Sequence, residues 1–323
     1  MYCDVGGALS QLFPVVVGVP QGTVLGPVLF LVFSFDLKLI TSNYLCFADD
    51  TTLYEIGKNE KIASENLIKS LNIFNNWVSN NKLSLNWDKS KILTLGEKEN
   101  LTAISIDNIQ LDNVSSFKLV GLNIDHDLSW KPHIQSLIPK LKLALYSLNQ
   151  IKYSAPLKTK LLLYNSIFLS HVTFGLPIWG NTFQSCTKQI KILMKKAIRS
   201  IFCAEYNAST SPLYEESGLF NYNSLLDYHS ILLARSIRIN NPDNLSPLLT
   251  TKEINTNMNI RSNAKFDQVG IPSWNCKNSD QNCYKVVPRL WNNLPCDIKQ
   301  LPNTTFKKYL KKHLLEIQKT KTN

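Results

Sequence analysis

The 323-residue sequence has no apolar run that approaches the ~20 residues needed to cross a membrane. From Leu161 to Thr187 it contains no Asp, Glu, Lys or Arg, but polar residues, Gly and Pro interrupt that stretch. We therefore expect a pair of buried helices there and no membrane partner. The seven cysteines show no regular pairing and no signal-like segment opens the sequence, so we expect an intracellular protein that is not secreted.

Charged residues are also few, at 18% of the sequence, and they are unevenly distributed. Residues 1–128 hold 9 Lys/Arg against 14 Asp/Glu, whereas residues 129–245 and 246–323 each hold 13 against 5. An acidic first part followed by two basic parts favours a metal site served by surfaces that bind phosphate. The alternative is a basic globular protein without an anionic ligand. The length predicts two or three domains.

Residues up to about Trp130 show short strand patterns and two helical segments, which together predict an α+β fold. The helix that begins near Gly26 is apolar on almost every side, so we expect it to be buried. A second, amphipathic helix should cover a sheet through Leu67, Leu71, Phe74 and Val78. The predicted strands are Val15–Val19, a hairpin around Asp49, Lys91–Leu95, Ile104–Ile106 and Phe117–Ile124.

After Trp130 the apolar residues recur with helical periodicity. The predicted helices are Pro132–Leu148, Leu157–Phe174, Gln184–Phe202 and Leu225–Ile239. Residues 243–269 are rich in Asn, Thr and Pro and predict a linker. A small terminal unit follows, and its last helix should place Phe306, Tyr309, Leu310 and Leu314 on one apolar side.

The helix from Gln184 to Phe202 presents a basic face, formed by Lys188, Lys191, Lys195, Lys196 and Arg199. Such a face is either a solvated helix surface or a surface that follows a nucleic-acid backbone. His126 and His133 receive no functional role from their context, so solvent contact or packing is the expectation for each.

Adjacent carboxylates, Asp49 and Asp50, interrupt an otherwise apolar and β-branched stretch from Tyr44 to Tyr54. The flanking residues predict two strands, and the Asp pair lies where a hairpin would turn. Unpaired carboxylates are costly to bury, so the pair occupies either a solvated turn or a cation site. We expect their side chains to point to opposite sides of the strand, so that only one can be the main ligand.

Several motifs in a fixed order resemble the reverse transcriptases of non-LTR (LINE-type) retrotransposons. They are Gly18-Val19-Pro20-Gln21-Gly22 before a helix, Phe47-Ala48-Asp49-Asp50, Leu85-Asn86 with Lys89-Ser90, and Phe117-Lys118-Leu119-Val120-Gly121 followed by Leu128-Ser129-Trp130. The resemblance covers about Val15 to Trp130. It implies a polymerase palm of antiparallel sheet and covering helices over residues 1–128, a helical thumb over 129–245, and a linker with a basic C-terminal region over 246–323.

The resemblance also implies roles for particular residues. Asp49 would be the main ligand of two divalent ions, Mg²⁺ or Mn²⁺, with Asp50 supporting it, and Lys89 would act on the leaving pyrophosphate. Template and nucleotide would approach Pro20, Gln21, Gly22, Phe47 and Ala48, and the primer would be held by Phe117, Lys118, Leu119, Val120 and Gly121. The implied partners are an RNA template, a DNA primer and deoxynucleoside triphosphates, and the implied compartments are the cytoplasm and the nucleus.

One element of the family pattern is missing. Family members carry a further catalytic Asp in a Phe-x-Asp-like strand well before the Pro-Gln-Gly turn, but only 19 residues precede Pro20. Asp4 does not match that strand, and Asp36 follows the helix that begins near Gly26. We therefore expect an N-terminally truncated polymerase without fingers, inactive alone. The alternative is a non-catalytic nucleic-acid-binding remnant or a pseudogene product.

Overall fold

The computed structural model describes residues 3–12, 14, 18–19, 22–40, 43–96, 104–106, 109–240, 249, 269 and 282–320. The chain divides into two compact units, residues 1–115 and 116–323. The predicted strand at Val15–Val19 has its first three residues outside the described part, and Gly18 and Val19 are not in a strand. The predicted linker at 243–269 also lies outside the described residues, apart from 249 and 269.

The strands of the first unit are short and pair two by two. They are β1 (Asp4–Val5), β2 (Ala8–Leu9), β3 (Tyr44–Phe47), β4 (Asp50–Leu53), β5 (Lys91–Ile92), β6 (Ser105–Ile106), β7 (Ile109–Gln110) and β8 (Asp112–Asn113). Pairs β1–β2, β3–β4 and β6–β7 are antiparallel, whereas β5 and β8 are parallel. The α+β class is confirmed as a mixture of helices and small, mostly antiparallel strands. The single larger sheet that we expected does not form among the described residues, because strands of two to four residues offer few ladder hydrogen bonds.

Three helices accompany these strands, α1 (Gly26–Phe33), α2 (Leu37–Ile40) and α3 (Glu60–Asn80). Helix α3 begins where the Asn59 side chain accepts a hydrogen bond of 3.0 Å from the Ile62 N–H, which satisfies one free donor of the first turn. The amphipathic helix predicted here is confirmed. Its buried residues Phe74, Trp77 and Val78 form a small core with Leu37 of α2.

Helix α1 corrects the expectation of a buried helix, because none of its residues is buried. Leu31 and Val32 are 68% and 69% exposed. Only its C-terminal end meets the small core, where the Phe33 ring lies 6.2 Å from that of Trp77. A helix that is apolar all round needs neighbours on several sides to be buried, and the described residues of its unit leave every residue of α1 at least partly exposed.

The second unit opens with a hairpin and continues as helices. These are β9 (Ser116–Leu119), β10 (Leu122–Asp125), α4 (Lys131–Gln150), α5 (Leu157–Leu163), α6 (Ser170–Thr173), α7 (Leu176–Trp179), α8 (Gln184–Ile201), α9 (Ser211–Ser217), α10 (Tyr222–Asn240), α11 (Cys283–Asn293), α12 (Cys296–Lys299) and α13 (Asn303–Thr320). A π-helical turn, Tyr164–Leu169, joins α5 to α6, so the predicted helix 157–174 is continuous but not uniformly α-helical. The segment predicted as a single strand at Phe117–Ile124 is instead the β9–β10 hairpin.

The helices of the second unit enclose one large core. The α4 stripe predicted from periodicity is confirmed, with Ile134, Leu137, Leu141 and Leu148 buried. The uncharged stretch 161–187 is only partly buried: five of its side chains have no exposed surface (Tyr164, Phe168, Val172, Leu176 and Trp179), whereas Leu162 and Phe174 are 66% and 51% exposed. No helix in the described part of the chain is long and apolar enough to cross a membrane.

The last helix, α13, packs on this core through Phe306, Leu310 and Leu314. Tyr309, predicted on the same side, is 51% exposed, because it lies about 100° around the helix from the centre of the 306–310–314 row. Arg235 of α10 holds the segment that leads into α13, since its guanidinium donates two 2.6 Å hydrogen bonds to the carbonyls of Lys299 and Leu301.

Candidate functional site

The predicted hairpin at the Asp pair is confirmed. Strand β3 pairs with β4 in the register Tyr44↔Leu53 to Phe47↔Asp50, which leaves Ala48 and Asp49 as a two-residue loop. Ala48 has a φ of 53°, so the first loop residue adopts the left-handed conformation that short hairpin loops require. Asp49 therefore belongs to the turn and Asp50 begins β4.

This placement corrects one step of the sequence argument. Strand alternation was expected to separate the two carboxylates, but it applies only to residues within a strand, and Asp49 is not in one. Both aspartates are exposed at the tip, as are Phe47 and Ala48. Two adjacent, solvated carboxylates offer hard oxygen donors of the kind that bind Mg²⁺ or Mn²⁺. Within the described residues, no group of three or more His, Cys, Asp or Glu could hold a metal ion.

Lys89 lies in a turn that follows α3 in the same unit. Its N–H donates to both the backbone oxygen and the side-chain oxygen of Asn86, each at 3.2 Å, which fixes the turn rather than the lysine side chain. The Lys89 side chain is exposed, and in the described residues no ion pair joins it to Asp49 or Asp50.

The turn predicted to contact the template and the nucleotide, Pro20–Gly22, is described only in part. Pro20 and Gln21 lie outside the described residues. Gly22 has a φ of +84°, and among the described residues no atom lies within 4 Å of the position that a Cβ would occupy. Glycine is therefore required there by the backbone conformation and not by crowding.

The hairpin assigned to the primer belongs to the second unit. Its two-residue loop, Val120 and Gly121, has φ angles of 45° and 86°. A Cβ at Gly121 would lie 3.0 Å from the Phe174 ring, so glycine also permits a close approach there. Phe117 and Lys118 are exposed, and Leu119 is half-buried.

A cavity of about 270 Å³ beside this hairpin is lined by basic groups that sequence reasoning did not bring together. Lys118 comes from β9, His133 and Lys140 from α4, and His171 from α6, and no carboxylate lines the cavity. Burial, aided by the charge of Lys140, lowers the pKa of His133 below its ordinary value. The available signal was the spacing of His133 and Lys140, seven residues apart on one face of a helix.

The basic face of α8 is divided between different environments. Lys188, Lys195 and Lys196 are exposed, whereas Lys191 and Arg199 are half-buried. Arg199 Nε donates a 2.8 Å hydrogen bond to the Ala208 carbonyl, so part of its function is structural. The five residues predicted as one surface therefore do not form a uniform one.

Comparisons with known proteins agree with the resemblance drawn from the motifs. Residues 1–124 match the family "Reverse transcriptase (RNA-dependent DNA polymerase)". The chain is 25% identical over 222 residues to the RNA-directed DNA polymerase from mobile element jockey of Drosophila melanogaster, covering 65% of this chain and 24% of that protein. It is also 25% identical over 233 residues to the probable RNA-directed DNA polymerase from transposon X-element of the same organism, covering 69% and 26%.

The chain thus spans about a quarter of the length of these relatives. The predicted likeness to polymerases of non-LTR retrotransposons is confirmed. No solved structure matches the chain significantly.

Proposed function

We propose that this chain supplies the metal-binding hairpin of an RNA-directed DNA polymerase, since residues 1–124 match the reverse transcriptase family. The single observation that carries the proposal is the β3–β4 turn, which exposes Asp49 and Asp50 side by side at its tip. Asp49 is the main metal ligand in this proposal, and Asp50 supports it.

The donor set fits a hard divalent ion, since it consists of carboxylate oxygens open to solvent. When bound, two such ions would activate the primer 3′-hydroxyl and stabilise the charge on the phosphate under attack. The chain's own part is to hold the carboxylates on a short hairpin and to provide, through Lys89, a cation for the leaving pyrophosphate. Gly22 would allow the template–nucleotide pair to approach the backbone together with Pro20, Gln21, Phe47 and Ala48.

We assign a partial palm to residues 1–128, a helical thumb to 129–245 and a linker with a basic terminal region to 246–323. The RNA template and DNA primer would be held by positive surfaces after residue 128, where Lys/Arg exceed Asp/Glu by 8 in each of the two segments. The β9–β10 hairpin would contact the primer, supported by the carboxylate-free cavity beside Lys118. The six described cysteines are free, which suits the reducing cytoplasm and nucleus.

A second candidate is a nucleic-acid-binding remnant without catalytic activity. It is favoured by the lack of a third carboxylate near Asp49 and Asp50 among the described residues. Two metals held about 4 Å apart need ligands from more than one short hairpin. Under this alternative the second unit binds nucleic acid and the Asp pair binds a divalent ion weakly or not at all.

Primer extension on an RNA template separates the two candidates. We expect the 323-residue chain to show no extension with Mg²⁺ or Mn²⁺. Fusion to the upstream polymerase region of a related element should restore extension, and Asp49→Ala should then lower the rate by a factor of at least about 10³, corresponding to roughly 4 kcal/mol. The matched control is Asp127→Ala, which removes an exposed carboxylate from another turn and should preserve the rate.

Binding of Mn²⁺ provides a readout that does not depend on activity. Paramagnetic broadening of amide signals should be greatest around Ala48 to Thr51 and should disappear in Asp49→Ala. Extension by the chain alone would show that a third carboxylate is not needed from outside it. A fusion that stays inactive and shows no broadening would favour the non-catalytic remnant.

A further inference from the structure

A cleft of about 530 Å³ lies in the second unit, away from the β9–β10 hairpin. Its walls come from α8, α9, the first turn of α10 and the second half of α13. The charged side chains that line it are Lys191, Lys195, Glu215, Lys312, Glu316 and Lys319. The volume falls within the ~300–1,000 Å³ range of small-molecule sites.

The charges of this α8–α13 cleft are not balanced. Lys319 forms an ion pair of 2.6 Å with Glu215, so these two charges offset each other. In the described part of the chain, no carboxylate lies within ion-pair distance of Lys191, Lys195 or Lys312. Three ammonium groups therefore share a concave surface with one remaining carboxylate.

Lys191 has the most unusual environment of the three. Its ammonium nitrogen is 5.1 Å above the centre of the Tyr222 ring, and its side chain is half-buried. Burial, and then the charge of Lys195, lowers the pKa of Lys191 below its ordinary value. Both effects disfavour the ammonium form of Lys191, and the opposite charge of a bound anion would offset them.

Polar groups and a helix end also line the cleft. Asn221 fixes the start of α10, because its Oδ1 accepts from the Ser224 N–H at 3.0 Å and its N–H donates to Gln318 Oε1 at 2.9 Å. Helix α10 has 19 residues, so its N-terminus adds partial positive charge beside Asn223. Thr210 and Ser211 bring hydroxyl groups to the same cleft.

We propose that the α8–α13 cleft binds a phosphate group, carried by a nucleotide or by a nucleic-acid strand, with Lys191, Lys195 and Lys312 as its cationic contacts. Lysine ammonium groups, hydroxyls and a helix N-terminus are the groups that proteins use to bind phosphate. The aromatic side of Tyr222 and the aliphatic stem of Leu315 leave apolar wall for the rest of such a ligand. The inference rests on the proposed nucleic-acid role of the second unit and not on chemistry at Asp49.

The test compares two double variants of the full chain that have the same net charge. Lys191→Gln/Lys195→Gln removes two cleft lysines, whereas Lys142→Gln/Lys158→Gln removes two exposed lysines that do not line the cleft. Binding is measured for a short single-stranded oligonucleotide, a deoxynucleoside monophosphate and inorganic phosphate. We expect at least about tenfold weaker binding of the preferred probe in the cleft variant and a salt slope reduced by about 2.

The control variant should change affinity by less than about twofold, because isolated surface charges contribute little. Tighter binding of the oligonucleotide would identify a nucleic-acid strand as the source of the phosphate. Tighter binding of the monophosphate would identify a nucleotide, and equal binding of all three probes would identify free phosphate. Equal losses in both double variants would overturn the proposal, since they would show general attraction to positive charge. No loss in either variant would also overturn it.

A direct measurement on the unsubstituted chain covers the case in which the cleft variant misfolds. In an NMR titration of the lysine side chains, added probe should raise the pKa of Lys191 towards its ordinary value. An unchanged Lys191 titration at saturating probe would contradict the proposal. Asp49→Ala should leave cleft binding intact, so failure of the metal site and failure of the cleft are distinguishable.

Discussion

His133 and His229 give the second unit a dependence on pH. Burial lowers the pKa of both histidines, with Lys140 contributing at His133. The unfolded chain therefore binds protons at a higher pH than the folded chain does. Because these are depressed pKa values, their stabilisation is present above about pH 6.5 and is lost as the pH falls through the folded-state values.

We expect the free energy of unfolding to decrease from pH 7.5 to pH 5, and His133→Gln/His229→Gln to flatten that decrease. Urea unfolding at each pH measures this free energy. The value at pH 7.5 gives the change in stability caused by the substitutions themselves, apart from the effect of histidine protonation. NMR titration of the imidazole protons should place both pKa values below the ordinary range. An unflattened profile in the double variant would assign the pH dependence to other groups.

At the scale of one element, Asp125 determines how β10 passes into α4. Its Oδ2 accepts from the Ser129 N–H at 3.1 Å and from Ser129 Oγ at 2.7 Å, while Oδ1 accepts from the Trp130 N–H at 2.9 Å. Trp130 has a φ of 61°, so the residue before α4 is held in a left-handed conformation. The buried Asp125 carboxylate therefore satisfies two backbone donors in a strained loop.

We expect Asp125→Ala to lower the free energy of unfolding by about 2–4 kcal/mol, because the two N–H groups lose their acceptor in a half-buried loop. Asp127→Ala is the control, since that exposed carboxylate lies 3.1 Å from the neighbouring His126, and its removal should cost less than about 1 kcal/mol. Urea unfolding monitored by helical circular dichroism measures both. Equal costs would show that the carboxylate network contributes nothing specific.

Hydrophobic periodicity predicted the positions of the helices well, but it predicted less well which of them are buried. The α4 stripe was predictable because Leu137, Leu141 and Leu148 recur at helical spacing, which indicates the buried face directly. The exposure of α1 was not predictable, because the sequence of an apolar helix does not show whether other elements pack against it. The strand pattern over Phe117–Ile124 did not separate β9 from β10, because valine with a φ of 45° carries no turn signal, although the family resemblance implied a primer-gripping turn at Phe117–Gly121.

The two parts of the candidate site differ in the same way. The Asp49 turn was predictable because adjacent residues encode both its strands and its loop. The basic cavity was not, because Lys118, His133 and His171 come from three elements that only the fold brings together. Local patterns thus predict a site built on one hairpin, whereas a site between elements requires the packing to be known.

At the scale of the whole molecule, the two units have very different cores. The described core of the second unit includes Trp179, Trp291, Phe168 and Phe306, all essentially without exposed surface. The main buried cluster of the first unit has four residues, Leu37, Phe74, Trp77 and Val78. Since burial of apolar area is the main stabilising contribution, most of the stability should lie in residues 116–323.

We therefore expect amide hydrogen exchange of the full chain to be slow in α4, α8 and α10 and faster by several orders of magnitude in β3, β4 and α1. A fragment of residues 116–323 should unfold cooperatively in urea, whereas residues 1–115 alone should not, because two-stranded pairs and one small core give marginal stability. The exposed leucines and valines of α1 should also make the isolated first unit prone to aggregate. Equal protection in both units, or cooperative unfolding of residues 1–115, would contradict this expectation and show that the region around the β3–β4 hairpin is more stable than its small core suggests.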